Sequence, residues 1–242
     1  SSRGDAGAKP PKPPLDQTMN EQSAQLKAGS WLHNPVTGEL AEVLVGPADT
    51  DGRRVEADLW LQPGAAVAGA HIHDHLIERF TVIEGDVAFV LDGDEREAKS
   101  GEAAVEVPAG TSHDWWNAGD GIARVRVEVE SVSGSVGAPA ARFVSMIETM
   151  WSLGALGNVN SKGMPSLLWL GAVAREYRDV LRFTRPPMFV QAILFAPIAA
   201  LAKATGRNPL DPGLHGAGAA CEIEAPDEAG LAELLNHQAG DV

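Results

Sequence analysis

Residues 71–85 read HIHDHLIERFTVIEG. Of the chain's seven histidines, His71, His73 and His75 alternate here, and Glu78 follows. On a strand, side chains two positions apart project to the same face. His71 and His73 therefore point together, and His75 joins them if the strand continues. Glu78 stands at an odd offset, and a turn or bulge between His75 and Glu78 would return it to their side. A second stretch, GEAAVEVPAGTSHDWWN (101–117), places His113 just after the turn Pro108-Ala109-Gly110. Antiparallel pairing would bring His113 beside the first cluster. Imidazoles from His71, His73 and His113 with the Glu78 carboxylate suit one divalent transition metal: Fe, Mn, Ni, Cu or Zn. Such a set leaves coordination positions open, as a catalytic ion needs. The competing reading is a row of solvated polar side chains on one strand face.

The neighbours follow the same parity. With Glu78 facing inward, Phe80 and Val82 face inward too. Trp115 and Asn117 share the parity of His113, and Trp116 points away. These side chains predict a partly apolar substrate pocket beside the metal. His75 reads as a further polar group in that pocket, as a proton shuttle, or as a rim residue. Arg79 is expected at the surface or paired with a carboxylate. His33, His215 and His237 fall in loops or tails and receive no role. The chain has no phosphate-cradling G-x-x-x-x-G-K-[ST] loop and no G-x-S-x-G elbow.

Short strands must hold these groups. VEADLWL (55–61) alternates Val55, Ala57, Leu59 and Leu61 against Glu56, Asp58 and Trp60. DVAFVLDGD (86–94) alternates Val87, Phe89 and Leu91 and then turns at Asp92-Gly93. ARVRVEVE (123–130) alternates Val125, Val127 and Val129 against charged residues. Period two, short spacing and glycine-rich turns indicate an antiparallel barrel or sandwich. Past Gly137 the period changes. Residues 138–153 are helix-like, and 165–183 place Leu170, Val173, Tyr177 and Val180 at helical spacing. Pro186 and Pro187 suit the start of a third helix and Gly206 its end. Its apolar run 188–202 is interrupted by Gln191 and Pro197 and is too short for a confident span. It is expected in a helical layer or subunit interface. A contact of 186–206 with a membrane surface or protein is the less favoured alternative.

These segments divide the 242 residues into a disordered start (1–25), a β-barrel (31–135), a helical region (138–206) and an acidic tail (207–242). The net charge is −14, with no basic patch in the body of the chain, so nucleic acid is not an expected partner. The single cysteine, Cys221, cannot form an intrachain disulfide. No apolar segment follows Ser1, and a cytoplasmic location is expected.

The stretch Gly64, His71, His73, Glu78, Gly85 resembles the first motif of the cupin superfamily. Gly101, Pro108, Gly110, His113, Asn117 resembles the second. In each, the spacer after the first glycine is one residue longer than the family pattern. The resemblance covers roughly residues 35–132. It implies an α+β, mainly β protein: a cupin double-stranded β-helix (jelly-roll) barrel followed by C-terminal α-helices. It assigns metal ligation to His71, His73, Glu78 and His113. One pair of motifs implies a single barrel, and exposed sheet edges favour a homodimer. The downstream helices resemble an extension on many bacterial cupin-domain proteins. The expected activity is that of a metal-dependent, dioxygenase-like oxidoreductase acting on a small, partly apolar molecule. Two alternatives stand beside it: a metal-dependent isomerase, cyclase or lyase, and a non-catalytic module for a small ligand or partner.

Overall fold

The computed structural model describes residues 26–66, 69–185, 187–216 and 218–236. The expected disorder of 1–25, and His237, lie outside these residues. Ten strands come first: β1 (Trp31–His33), β2 (Leu40–Val45), β3 (Arg54–Leu61), β4 (His71–Ile72), β5 (Leu76–Glu84), β6 (Asp86–Leu91), β7 (Asp94–Lys99), β8 (Val105–Val107), β9 (His113–Asn117) and β10 (Ala123–Ser131). Then follow α1 (Pro139–Ala155), α2 (Leu167–Glu176), β11 (Arg182–Phe183), α3 (Met188–Ala204), β12 (Glu222–Ile223) and α4 (Glu228–Asn236).

The strands form two antiparallel sheets, ordered β12-β1-β2-β3-β10-β5-β8 and β11-β4-β9-β6-β7. This is the expected mainly β jelly roll with C-terminal helices. Val125, Val127 and Val129 are buried on the inner face of β10. Phe80, Phe89 and Trp115 fill the middle, with Phe80 and Trp115 ring centroids 4.9 Å apart. The β6–β7 hairpin turns at Asp92-Gly93, both with positive φ, as its tight reversal requires. Its outer strand β7 is DEREAK, with only Ala98 buried. A charged edge of this kind resists pairing with another sheet.

Three expectations change. The helix expected over 165–183 stops at Glu176, where Tyr177 caps it by donating its N–H to the Val173 carbonyl. Tyr177 and Val180 are still buried, but within a turn. Its continuation, Arg182–Phe183, is a strand pairing with His71–Ile72. The acidic tail is built into the fold: β12 pairs with β1, and Leu214, His215, Ala219 and Cys221 are buried. Asp58 and Trp60, which alternation sets on the face of β3 opposite Val55 and Leu61, are buried as well, although that face carries charge. Trp60 stacks on Trp31 with centroids 5.4 Å apart, and Leu231, Leu234 and Leu235 of α4 pack on that cluster. Arg124 and Arg126 close over Asp58.

Helix α3 packs on α2, where a Cβ on Gly171 would stand 2.5 Å from Ile198. Ala199 and Ala202 are buried, while Phe189 and Ile193 are 69% and 70% exposed. Among the described residues, no helix is long and apolar enough to cross a membrane.

Candidate metal centre

His71 on β4 and His113 on β9 are direct cross-strand partners, so their rings lie side by side with centroids 4.1 Å apart. His73 follows β4 immediately. The chain then breaks at Asp74-His75 before β5 begins at Leu76. That break is the predicted irregularity, placed earlier than expected. It turns His75 outward to solvent and restores inward parity to Leu76, Glu78, Phe80 and Val82. Glu78 comes from the other sheet, so the four side chains meet across the barrel.

All four are buried, and one ligand atom from each lies within 4.8 Å of the others. This cluster could hold a metal ion. The Glu78 carboxylate reaches His113 Nε2 at 2.8 Å and His73 Nε2 at 3.7 Å. Each imidazole turns its other nitrogen to a backbone carbonyl. His71 Nδ1 lies 2.6 Å from the Gly69 oxygen, His73 Nδ1 2.6 Å from that of Val180, and His113 Nδ1 3.2 Å from that of Thr111. A carbonyl only accepts, so each Nδ1 carries the proton and donates it. Each Nε2 of the neutral ring is then a bare lone pair aimed at the centre. His73 Nε2, His113 Nε2 and Glu78 Oε2 are buried without a hydrogen-bond partner. Buried acceptors converging in this way fit a cation.

The electrostatics keep the His71 ring neutral, as a ligand requires, whereas His113 and Glu78 favour an ion pair with each other that a bound cation would have to replace. Burial, with His73 and His113 nearby, drives the His71 pKa down to about 3. Burial opposes charge on His113 and Glu78 alike. The Glu78 carboxylate outweighs burial for His113 and raises its pKa, while His73, with His113 and His71, outweighs burial for Glu78 and lowers its pKa.

Turns hold the strands in place. Gly110, with φ 85°, donates its N–H to the His73 carbonyl at 2.8 Å and so ties the two motifs together. Gly85, with φ 82°, passes so close to β10 that a Cβ would stand 2.9 Å from Ala123. Arg182 clamps Asp74 with two hydrogen bonds of 2.8 and 2.9 Å, beside His73. Phe143 of α1 meets the His73 ring edge-on with centroids 5.6 Å apart.

A cavity of about 820 Å³ adjoins the cluster, with His71, Glu78, Phe80 and Trp115 in its wall. The other pocket candidates lie elsewhere. His75 is exposed and outside the wall. Val82 is buried but does not line the cavity. Asn117 is a structural pin: its amide donates to the carbonyls of Leu61, Gln62 and Gly121 at 3.0, 3.1 and 2.8 Å. Arg79 pairs with Glu106 at 2.9 Å.

Sequence reasoning missed the Val180 carbonyl and Phe143, which lie in segments with no motif. It also missed a buried pair behind the barrel. Glu148 Oε2 stands 3.7 Å from His215 Nδ1, and Glu148 Oε1 accepts from Gly216 N–H at 2.7 Å.

A jelly roll with three imidazoles and a carboxylate converging inside defines a class of metal-site barrels. Residues 59–130 match the model of the Cupin domain. The chain therefore contains a cupin domain over residues 59–130. Among curated proteins, none matches it. Similar solved structures include a predicted oxalate decarboxylase from Thermotoga maritima, 21% identical, covering 39% of this chain and 81% of that one with a TM-score of 0.36. Another is a sugar phosphate isomerase of the cupin superfamily from Silicibacter pomeroyi, 25% identical, covering 40% and 62%, with a TM-score of 0.35. A third is the cupin domain of a transcriptional regulator from Enterobacter cloacae, 20% identical, covering 38% and 96%, with a TM-score of 0.33.

Proposed function

We propose that this chain is a metal-dependent enzyme holding one divalent transition metal on His71, His73, Glu78 and His113. In this proposal it acts as a dioxygenase-like oxidoreductase on a small, partly apolar organic substrate. The observation that carries the metal site is the set of three Nδ1 atoms engaged by the carbonyls of Gly69, Val180 and Thr111. That engagement leaves three inward lone pairs beside a buried carboxylate. A bound ion would supply Lewis acidity and open coordination positions. The protein's own residues do the rest. Phe80 and Trp115 form an apolar wall that limits water, and Glu78 lowers the net charge of the centre.

The isomerase, cyclase or lyase alternative has the metal as a Lewis acid, with His75 as one possible acid or base. The exposure of His75 outside the cavity removes that candidate group, and the alternative then rests on metal Lewis acidity alone. Assembly as a homodimer is part of the proposal. The charged β7 strand makes the other sheet edges the better candidates for pairing.

The test is elemental analysis of the full chain purified without added metal or chelator, beside His71→Ala/His113→Ala. Near-stoichiometric Fe, Mn, Ni, Cu or Zn in the parent, lost in the variant, supports the metal reading. A metal-free parent that takes up none of these ions on titration overturns it. Substrate turnover that proceeds equally without dioxygen overturns the oxygenase assignment alone. Light scattering on the eluted protein reads the dimer.

A further inference from the structure

The cavity is not confined to the barrel. Its wall runs from His71 and Glu78, along the inner face of the seven-stranded sheet, to α1, α2 and α3. At about 820 Å³ it is at the upper end of the range for small-molecule sites. Most of the wall is apolar, with Leu32, Val43, Val55, Ile147, Met150 and Leu170 representative. Such a volume far exceeds what a small polar acid needs, and its surface gives a polar body few partners.

The rim has a different character. Lys162, Arg175 and Arg178 line the cavity and are also exposed, which places them where it meets solvent. Among the described residues, none of these three enters an ion pair. Arg175 and Arg178 stand three residues apart, across the end of α2 at Glu176. Lys162, Arg175 and Arg178 thus put positive charge on the exposed part of an otherwise mostly apolar wall, in a chain with net charge −14. The combination of a long apolar interior and a cationic rim selects for both ends of a molecule at once.

We propose that this cavity binds an amphiphilic anion: an extended apolar chain in the interior and a carboxylate or phosphate at Arg175 and Arg178. This names the ligand class of the site proposed above. It rests on that reading only in taking the inner wall, at His71 and Glu78, as a metal centre. The helical region then acts as the outer part of a binding chamber whose inner part is the barrel.

The experiment is calorimetric titration of the full chain with hexadecanoate, hexadecyl phosphate and uncharged hexadecan-1-ol, all below their aggregation limits. The displacement of cis-parinaric acid, whose fluorescence rises on burial, gives a second readout. One saturable site per chain is expected, with both anions binding more tightly than the alcohol. Arg175→Gln/Arg178→Gln, on exposed positions, should weaken the anions about tenfold and leave the alcohol nearly unchanged. Ile147→Trp, which fills the interior, should weaken all three. Absence of saturable binding overturns the proposal. So does equal affinity for acid and alcohol, or indifference to the arginine substitutions. Metal content is measured on the same samples. Amphiphile binding that persists in metal-free His71→Ala/His113→Ala upholds the chamber whatever the fate of the metal reading. A metal-loaded parent that binds no amphiphile removes this inference alone.

Discussion

His73 Nδ1 lies 2.6 Å from the carbonyl oxygen of Val180, a residue 107 positions further along the chain. The helical region therefore supplies a hydrogen-bond acceptor that orients a candidate metal ligand. Strand β11 continues the connection by pairing Phe183 with His71. Two of the three inward imidazoles are thus braced by residues after the barrel. A carbonyl that accepts from the outer ring nitrogen of such a histidine fixes both tautomer and ring angle, and losing it typically weakens metal binding.

The Arg182–Asp74 clamp tests this bracing without touching a ligand. Both side chains are partly exposed, so the ion pair itself contributes less than about 1 kcal/mol to stability. Arg182→Ala should leave the unfolding midpoint nearly unchanged. By loosening the segment that carries the Val180 carbonyl, it should lower metal affinity about tenfold. Competition against a chelator of known affinity reads that loss. A variant that binds metal as tightly as the parent would show that Val180 is held in place without the clamp.

Asn117 is expected to affect folding rather than the metal. Its side chain meets the carbonyls of Leu61, Gln62 and Gly121 and accepts from Gly119 N–H at 2.9 Å. Asn117→Ala leaves these groups short of a partner inside the protein and should cost about 2–3 kcal/mol. Urea unfolding gives that number. The folded fraction should bind metal as the parent does, because Asn117 is outside the cavity wall.

The site was legible where its geometry is local. His71 and His73 share a face through strand parity, and Gly110 carries the turn that precedes His113. Glu78 required one irregularity, and the motif pattern supplied it. The Val180 carbonyl had no such signal, because every residue has a carbonyl and only tertiary pairing selects one. Tyr177 and Val180 misled for a related reason. Apolar residues three and four apart mark a buried helix face, but here Tyr177 is anchored by its hydroxyl to Thr149, 2.9 Å away, within a buried turn. Trp60 and Asp58 show the same limit. Alternation predicted the outer face of β3 correctly, but could not show that α4 and two arginines cover it. His215 looked like a tail residue until the tail proved to pack against α1.

The Glu148–His215 pair gives a prediction for pH. Burial raises the Glu148 pKa above its ordinary 4.5, against the opposing influence of the nearby His215 ring and the hydrogen bond from Gly216 N–H. The folded state therefore holds the Glu148 proton more tightly than the unfolded state. Stability from this group is full below the unfolded pKa and falls as pH rises through the folded one. Glu148→Gln keeps an oxygen for Gly216 N–H and removes the ionisation. The melting temperatures of variant and parent should agree near pH 4, and the variant should gain on the parent as pH rises. A gap that is constant across that window would show that Glu148 does not ionise there.

Asp58 should show the opposite dependence. Its carboxylate is fully buried and accepts from Arg126 Nε at 2.7 Å and Arg124 Nε at 3.0 Å. Burial alone would raise its pKa, but the two guanidinium groups outweigh burial and hold it below the ordinary 3.8. Its contribution is therefore present above that value and lost as pH falls through the folded pKa. Arg124 also lies over the Trp60 ring, 4.7 Å from its centroid, so the ion cluster supports the tryptophan layer beneath α4. Asp58→Asn keeps the volume but loses the charge that gathers both guanidinium groups. About a third of each arginine side chain is exposed, which moderates the loss through solvent screening. The expected cost at neutral pH is about 1–3 kcal/mol. Chemical unfolding of both proteins across the acid range should show that gap closing below pH 3.8. A gap that persists there would assign the loss to packing around the amide rather than to the carboxylate's charge.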